Sequence, residues 1–222
     1  MKSTHPAWNA LPVAGPVRWL VLASLAAGLA YPALADCYGL VADIAAKGLG
    51  VGLLGGAALL AGRPWLAAIM SAGAVGDMLL EVPGGFFFGA GAFAIGHVIA
   101  MVFYARQRRS NIPVVDRVAA AGVIGYGLVM PAFVMPNDTP VGALILYSML
   151  LCGMAAAAAL SRFSRNWVAL GALLFVVSDT LLIMRLGGRL LGGATVHSLM
   201  VWYFYYFGQL GIAIGVLRGP VR

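Results

Sequence analysis

The chain is a succession of eight apolar runs of membrane-spanning length, and that pattern leaves few folds open to it. The runs cover roughly 17–35, 38–62, 65–81, 86–105, 114–135, 140–161, 166–186 and 195–217. A helix crosses a bilayer with about 20 mostly apolar residues. Lipid admits only helices or closed barrels, because every backbone N–H and C=O must find its partner within the protein. The runs are broken at Arg63-Pro64, at Pro83-Gly84-Gly85, between Arg106 and Pro113, between Pro136 and Pro140, between Arg162 and Asn166, and between Gly187 and Gly193. These are turn-forming, helix-ending residues. All the connections are short, so residues 1–222 read as a single integral membrane domain: an all-α, polytopic bundle of eight transmembrane helices. Hydrophobic residues make up 62 % of the chain and charged residues 9 %, against roughly 45–50 % and about 25 % in soluble domains. A soluble fold of this size has too little interior to hide that much apolar surface. A soluble enzyme, a nucleic-acid-binding domain and a disordered tail are excluded.

The basic residues test the helix count. With eight spans, one side of the membrane receives Lys2, Arg18, Arg63, Arg106, Arg108, Arg109, Arg117, Arg162, Arg165, Arg218 and Arg222, and the other receives only Arg185 and Arg189. Lys47 lies inside a run. The bias predicts that both termini are cytoplasmic. The net charge of +7 is therefore a topology signal and not a nucleic-acid footprint, which would gather on one face or helix. One competitor stands at the N-terminus: Ala33-Leu34-Ala35 follows an apolar run and resembles a signal-peptidase site, and cleavage there would leave seven helices. Ala-, Gly- and Arg-rich usage points to a bacterium, and so to its inner membrane.

Small residues recur at four-residue spacing: Gly48, Gly52 and Gly56; Gly85 and Gly89; Gly211 and Gly215. Such rows let helices approach closely in lipid. Cys37 and Cys152 have no disulfide or metal spacing and read as small apolar residues.

Charges inside a bilayer are costly, about 2.5–3.5 kcal/mol each on insertion scales, and therefore informative. Asp36, Asp116 and Asp138 fall in loops or at helix ends. Asp43, Asp77, Glu81 and Asp179 fall in or at the edge of spans, with Lys47, His97, His197, Tyr203, Tyr205, Tyr206 and Gln209. Alternating helix direction puts most of these in the outer half of the membrane, which predicts a polar cavity opening toward the outer leaflet. Asp43 and Lys47 share a helix face and suit an ion pair, which is also the cheapest neutral arrangement for both charges. The aromatic run Trp202 to Phe207 is too long for an interface belt alone, so some rings line the cavity and others face lipid.

Asp77 and Asp179 differ from the rest. Neither has a basic residue within one helical turn, and their surroundings are alike: Gly76-Asp77-Met78-Leu79-Leu80 and Ser178-Asp179-Thr180-Leu181-Leu182. They lie about half a chain apart on helices of the same direction, which hints at a parallel four-plus-four pseudo-repeat. Two carboxylates buried alike suit acid/base chemistry. The plainer alternative is a pair of packing aspartates bonded to hydroxyls. A lone buried His97 reads more simply as a satisfied polar residue than as a ligand, and His197, beside Thr195 and Ser198, as interfacial. No two histidines share a helix face and no His-Glu-x-x-His run occurs.

The stretch Gly171 to Leu182, with Ser178-Asp179 at its centre, resembles the signature of the YhhN family of membrane proteins, which includes the lysoplasmalogenases. Gly76 to Leu80, Gly96-His97 and Tyr206 to Gln209 agree with it, so the resemblance covers most of the chain from the second helix onward. Two positions depart from the family pattern: Lys47 precedes Gly48 instead of proline, and Ala100 stands where a tyrosine usually follows the histidine. The resemblance implies an eight-helix bundle that hydrolyses the vinyl ether of lysoplasmalogens to a fatty aldehyde and glycerophosphoethanolamine or glycerophosphocholine, without a cofactor.

Vinyl ether hydrolysis needs an acid to protonate the β-carbon and a carboxylate to steady the resulting oxocarbenium ion or activate water, much as in glycoside cleavage. Asp77 and Asp179 are the candidate catalytic pair. Lys47, His97, His197, Asp43, Ser178, Tyr206 and Gln209 are candidates for holding the lysophospholipid, which would enter from the membrane lipids. No metal ligand set and no nucleic-acid partner is expected. Two other readings share these residues. A small transporter or lipid carrier also has parallel halves and midplane charges, but no matched Gly/Pro interruption flanks both aspartates. A metal-dependent lipid hydrolase would use Asp77, Asp179, His97 and His197.

Overall fold

A computed structural model describes residues 15–219 apart from 36 and 138. Lys2 and Arg222 of the charge count, and Asp36 and Asp138 of the loops, lie outside the described residues. Eight helices follow one another with no strand among the described residues: α1 Pro16–Leu34, α2 Leu40–Leu60, α3 Pro64–Glu81, α4 Phe86–Arg106, α5 Val114–Val134, α6 Gly142–Leu160, α7 Leu170–Leu186 and α8 Gly193–Leu217. Seven are long and apolar enough to cross a membrane, so the chain is an integral membrane protein. The eighth, α3, carries both Asp77 and Glu81 and has 18 residues.

Helix ends follow the punctuation in the sequence. Pro64 begins α3, where its missing N–H costs nothing. Gly62 turns the chain after α2 at φ 66°, and Gly84 turns it after α3 at φ 75°, a left-handed conformation that favours glycine. The largest boundary difference is at α7. The apolar run begins near 166, but Arg165–Ala169 forms a π-helical turn leading into α7. That turn meets α8 where α8 is glycine-rich. A Cβ on Gly211 would lie 3.1 Å from the Trp167 carbonyl, and one on Gly171 would lie 2.6 Å from the Gly208 carbonyl. Backbone presses on backbone there, which is the purpose of small residues in lipid. Gly48 is equally tight, its Cβ position 2.5 Å from Met78 Cγ, whereas Gly52 and Gly56 have only ordinary contacts.

Helix α3 runs between α2 and α4; α4 packs on α6, and α6 on α5. Helices α7 and α8 form a close pair, and α8 also reaches α1, α2 and α3. The packing is repeated in part between the two halves of the chain: α5 lies along α6 as α1 does along α2, and α7 along α8 as α3 does along α4. Helix α2 lies closely along α3, but α6 touches its counterpart neighbour α7 only sparsely. The four-plus-four resemblance therefore extends from local sequence to the packing of the first and last helix pairs of each half, and the second half is splayed where the first is closed.

Helix α1 is a wall of the bundle. Ser24 Oγ donates to the Gly50 carbonyl at 2.6 Å and meets the Tyr206 hydroxyl at 2.9 Å, while Trp202 Nε1 donates to the Gly28 carbonyl at 2.7 Å. Each such bond between helices in lipid is worth about 0.6 kcal/mol on average. Arginines gather at one end of the bundle. Arg109 bonds Asp116 and the carbonyls of Ala159 and Leu160, Arg165 pairs with Asp116, and Arg63 donates to the Gly219 carbonyl. Arg106 and Arg218 lie over Trp65 and Trp167. The polar residues gather toward the opposite end.

Candidate active site

At that opposite end a cavity of about 340 Å³ is enclosed by the first turns of α2 and α8 and the last turns of α1, α3 and α7, with α4 and α6 closing one side. Asp77 and Asp179 both line it and are 2 % and 5 % exposed. The two carboxylates are held in the same manner by different helices. Tyr205 of α8 donates its hydroxyl to Asp77 Oδ2 at 2.6 Å, and Tyr147 of α6 donates to Asp179 Oδ2 at 2.6 Å. Hydroxyl-to-carboxyl hydrogen bonds this short fix the orientation of each carboxyl group.

Asp43 and Lys47 also line the cavity. Lys47 Nζ reaches across the α2–α3 interface to Glu81 Oε1, which also accepts the Tyr31 hydroxyl at 3.0 Å. The close approach that Gly48 permits brings the lysine within reach of the neighbouring helix. Ser178 lines the wall and spends its hydroxyl on the Val201 carbonyl at 2.8 Å, pinning α7 to α8 beside Asp179. Arg185 and Ser198 stand at the exposed mouth, their Nη1 and Oγ 3.4 Å apart.

The remaining candidates lie behind or beside this cavity. His197 is fully buried; its Nδ1 accepts the Leu191 N–H at 3.1 Å and its Nε2 meets the Leu181 carbonyl at 2.8 Å. With Nδ1 accepting, Nε2 is the donor, and the ring ties the α7–α8 connection together. Tyr206 turns to α1, where its ring fills the space beside Gly28 and its hydroxyl meets Ser24. His97 packs edge-on against Phe175 and Tyr147, with ring centroids 5.0 and 5.7 Å away. It lines a separate void of about 10 Å³ with Tyr104 and Gln209. His97 Nε2, the Tyr104 hydroxyl and Gln209 Oε1 are all buried without a protein partner. The Gln209 amide bonds the Tyr205 hydroxyl, so this inner cluster backs the support of Asp77. The four side chains of a metal reading do not converge: among the described residues no group of three His, Cys, Asp or Glu side chains is placed to hold a metal.

The cavity residues that the sequence did not offer as site candidates include Tyr147, Tyr31, Trp202 and Arg185, together with Glu81, Ser198 and Tyr205. Tyr147 is a phenol in the apolar run of α6, a position that its environment does not distinguish from an interfacial tyrosine. Trp202 and Tyr205 line the cavity while Phe207 is 40 % exposed, so the aromatic run divides between cavity and lipid. Cys152 is buried and Cys37 exposed, both unbridged.

Two curated relatives, both named lysoplasmalogenase, come from Mycobacterium bovis and Mycobacterium tuberculosis. Each is 29 % identical over 164 residues, covering 71 % of this chain and 62 % of the relative. The chain thus spans less than two thirds of the length of those relatives. No solved structure matches. The YhhN family profile matches residues 17–216, from the first helix through nearly the whole of the last, and the chain belongs to the YhhN family.

Proposed function

We propose that this protein is a membrane hydrolase that cleaves the vinyl ether of a lysoplasmalogen, releasing a fatty aldehyde and glycerophosphoethanolamine or glycerophosphocholine. One observation carries the reading: two buried carboxylates face one cavity, each held by a tyrosine hydroxyl. The names of the mycobacterial relatives support the substrate class.

The chemistry needs what this cavity offers. One carboxyl gives a proton to the β-carbon of the vinyl ether, and the other steadies the cation and takes a proton from the attacking water. Such pairs work best where water is scarce and the donors are fixed before reaction. Asp77 and Asp179 are the catalytic pair. Asp43, Lys47 with its partner Glu81, and Ser178 form the polar wall, and Arg185 with Ser198 at the mouth holds the phosphate. Arg185 joins Lys47 in the role that the sequence offered to Lys47, His97 or His197; the two histidine rings do not line the cavity. Tyr206 and Gln209 act behind the site, Gln209 by positioning Tyr205. The protein sits in a bacterial inner membrane with both termini cytoplasmic, so the cavity opens to the outer leaflet and the lysolipid enters from it.

The test is aldehyde and headgroup release from a lysoplasmalogen by purified protein in detergent, with and without a chelator. Chelator-resistant turnover without any transmembrane gradient supports the reading. Substrate binding without turnover contradicts it and moves the function to lipid carriage, and loss of turnover with chelator contradicts its cofactor-free form.

A further inference from the structure

The polar cavity has an apolar arm. A space of about 80 Å³ continues from it between α4, α6 and α7, sharing Leu80, Phe86, Phe93, Tyr147, Asp179 and Leu182 with the main chamber. It exists because α6 touches α7 only sparsely, where α2 and α3 are closed on one another. Beyond the shared residues its walls are Phe87, Ala90, Ala143, Leu144, Ile183 and Leu186. At the outer end Phe87 is 79 % exposed and Leu186 44 %, so the arm reaches the protein surface between the start of α4 and the end of α7. The two aspartates are not equivalent toward it. Asp179 stands at the neck and lines both spaces, whereas Asp77 lines the polar chamber alone.

We infer that the arm takes the hydrocarbon chain of the lysolipid, and that this orientation makes Asp179 the proton donor to carbon and Asp77 the base that activates water. The inference rests on the proposed hydrolase reading. An apolar chain and a charged headgroup sort between two such spaces by the cost of burying polar groups without partners. The headgroup belongs with Arg185, Ser198 and Lys47, and the chain with the arm. The reacting group then lies at the neck. In a vinyl ether the β-carbon is joined to the chain, and the α-carbon to the ether oxygen and glycerol. The β-carbon therefore faces the arm and Asp179, and the α-carbon faces the chamber and Asp77.

The steps balance on these two groups. Tyr147 occupies Asp179 Oδ2, which leaves Oδ1 to carry the acidic proton. The Oδ1–H bond breaks as the vinyl π pair takes the proton at the β-carbon, leaving positive charge shared by the α-carbon and the ether oxygen. A water oxygen bonds to the α-carbon while Asp77 takes one of its protons. The hemiacetal hydroxyl then returns a proton to Asp179 as its C=O bond forms. The bond from the α-carbon to the glycerol oxygen breaks with its pair going to that oxygen, which receives the proton from Asp77. One water is consumed, and both carboxyls end as they began.

Two experiments test the assignment. A non-hydrolysable alkyl-ether lysolipid carrying a diazirine in the first part of its chain is photolysed with the purified full-length protein. Labels on Ala90, Leu144 or Ile183, lost in Leu144→Trp, are expected; labels on the α1–α8 wall at Tyr31 or Trp202 overturn the arm. Azide rescue separates the aspartates, with thermal unfolding in detergent confirming that each variant folds. Azide bonds to the α-carbon of the cation and the adduct breaks down to aldehyde in water, so it replaces activated water but not a proton donor. Azide should raise aldehyde release by Asp77→Ala by about tenfold or more, recovering part of the roughly 100- to 10,000-fold that a positioned base contributes, and leave Asp179→Ala unchanged. Rescue of Asp179→Ala, of both, or of neither overturns the division of roles. Wild-type protein that releases no aldehyde removes the hydrolase reading instead, and the labelling still decides whether the arm holds a chain.

Discussion

Replacing Tyr147 by phenylalanine removes one oxygen atom and leaves the ring against His97, whose centroid lies 5.7 Å away. The lost group is the hydroxyl that donates to Asp179 Oδ2 at 2.6 Å. If Asp179 is the acid, it gains negative charge as its proton leaves for carbon, and the tyrosine bond strengthens on the way to the transition state. A hydrogen bond to a charged group contributes about 1.5–3 kcal/mol. At about 1.4 kcal/mol per factor of ten, Tyr147→Phe should lower kcat by roughly 10- to 100-fold. KM should move little, because the substrate itself does not use this hydroxyl. The assay is steady-state aldehyde release from a lysoplasmalogen in mixed micelles, with thermal unfolding of the same preparation as the folding control. A kcat within twofold of wild type, or a loss confined to KM, would refute the argument.

Further consequences follow from other contacts. Gly171→Leu places a side chain against the Gly208 carbonyl, where even a Cβ would be 2.6 Å away; overpacking of this kind costs typically 1–3 kcal/mol, so thermal unfolding in detergent should occur at clearly lower temperature than in wild type. Glu81→Gln and Lys47→Met each strand one partner of the α2–α3 pair, and the double variant Lys47→Met/Glu81→Leu should unfold at a higher temperature than either single one. Arg185→Gln should raise KM for a lysophospholipid more than it lowers kcat, and equal loss in both would place Arg185 outside the headgroup site. A high-resolution structure should show one ordered water bonded to His97 Nε2, Tyr104 and Gln209 Oε1, since three buried polar atoms share a void of about 10 Å³, close to the smallest that holds a water.

The helices were legible because lipid imposes a length and a polarity on every span, and proline, glycine and arginine mark the ends. Run edges and helix ends agree within two residues except at α7, where the π turn answers to packing against Gly211 and Gly215 on another helix. Asp77 and Asp179 were legible because a carboxylate in an apolar run is costly and must have a reason. Their tyrosine partners were not equally visible. A tyrosine costs little in a span, and nothing in the α6 sequence says that Tyr147 meets a residue of α7. The pairing of Lys47 shows the same limit: spacing along one helix favoured Asp43, but the contact with Glu81 depends on how closely α2 and α3 approach. His197 reads as interfacial in sequence, but the structure buries it, and its two nitrogens serve the backbone of α7 and of the α7–α8 connection.

The central claim is that Asp77 and Asp179 together hydrolyse a vinyl ether, and the most direct measurement is aldehyde release by wild type, Asp77→Asn and Asp179→Asn side by side, each purified and shown to be folded. The account predicts turnover by wild type and its loss in both variants; full activity in both would contradict it.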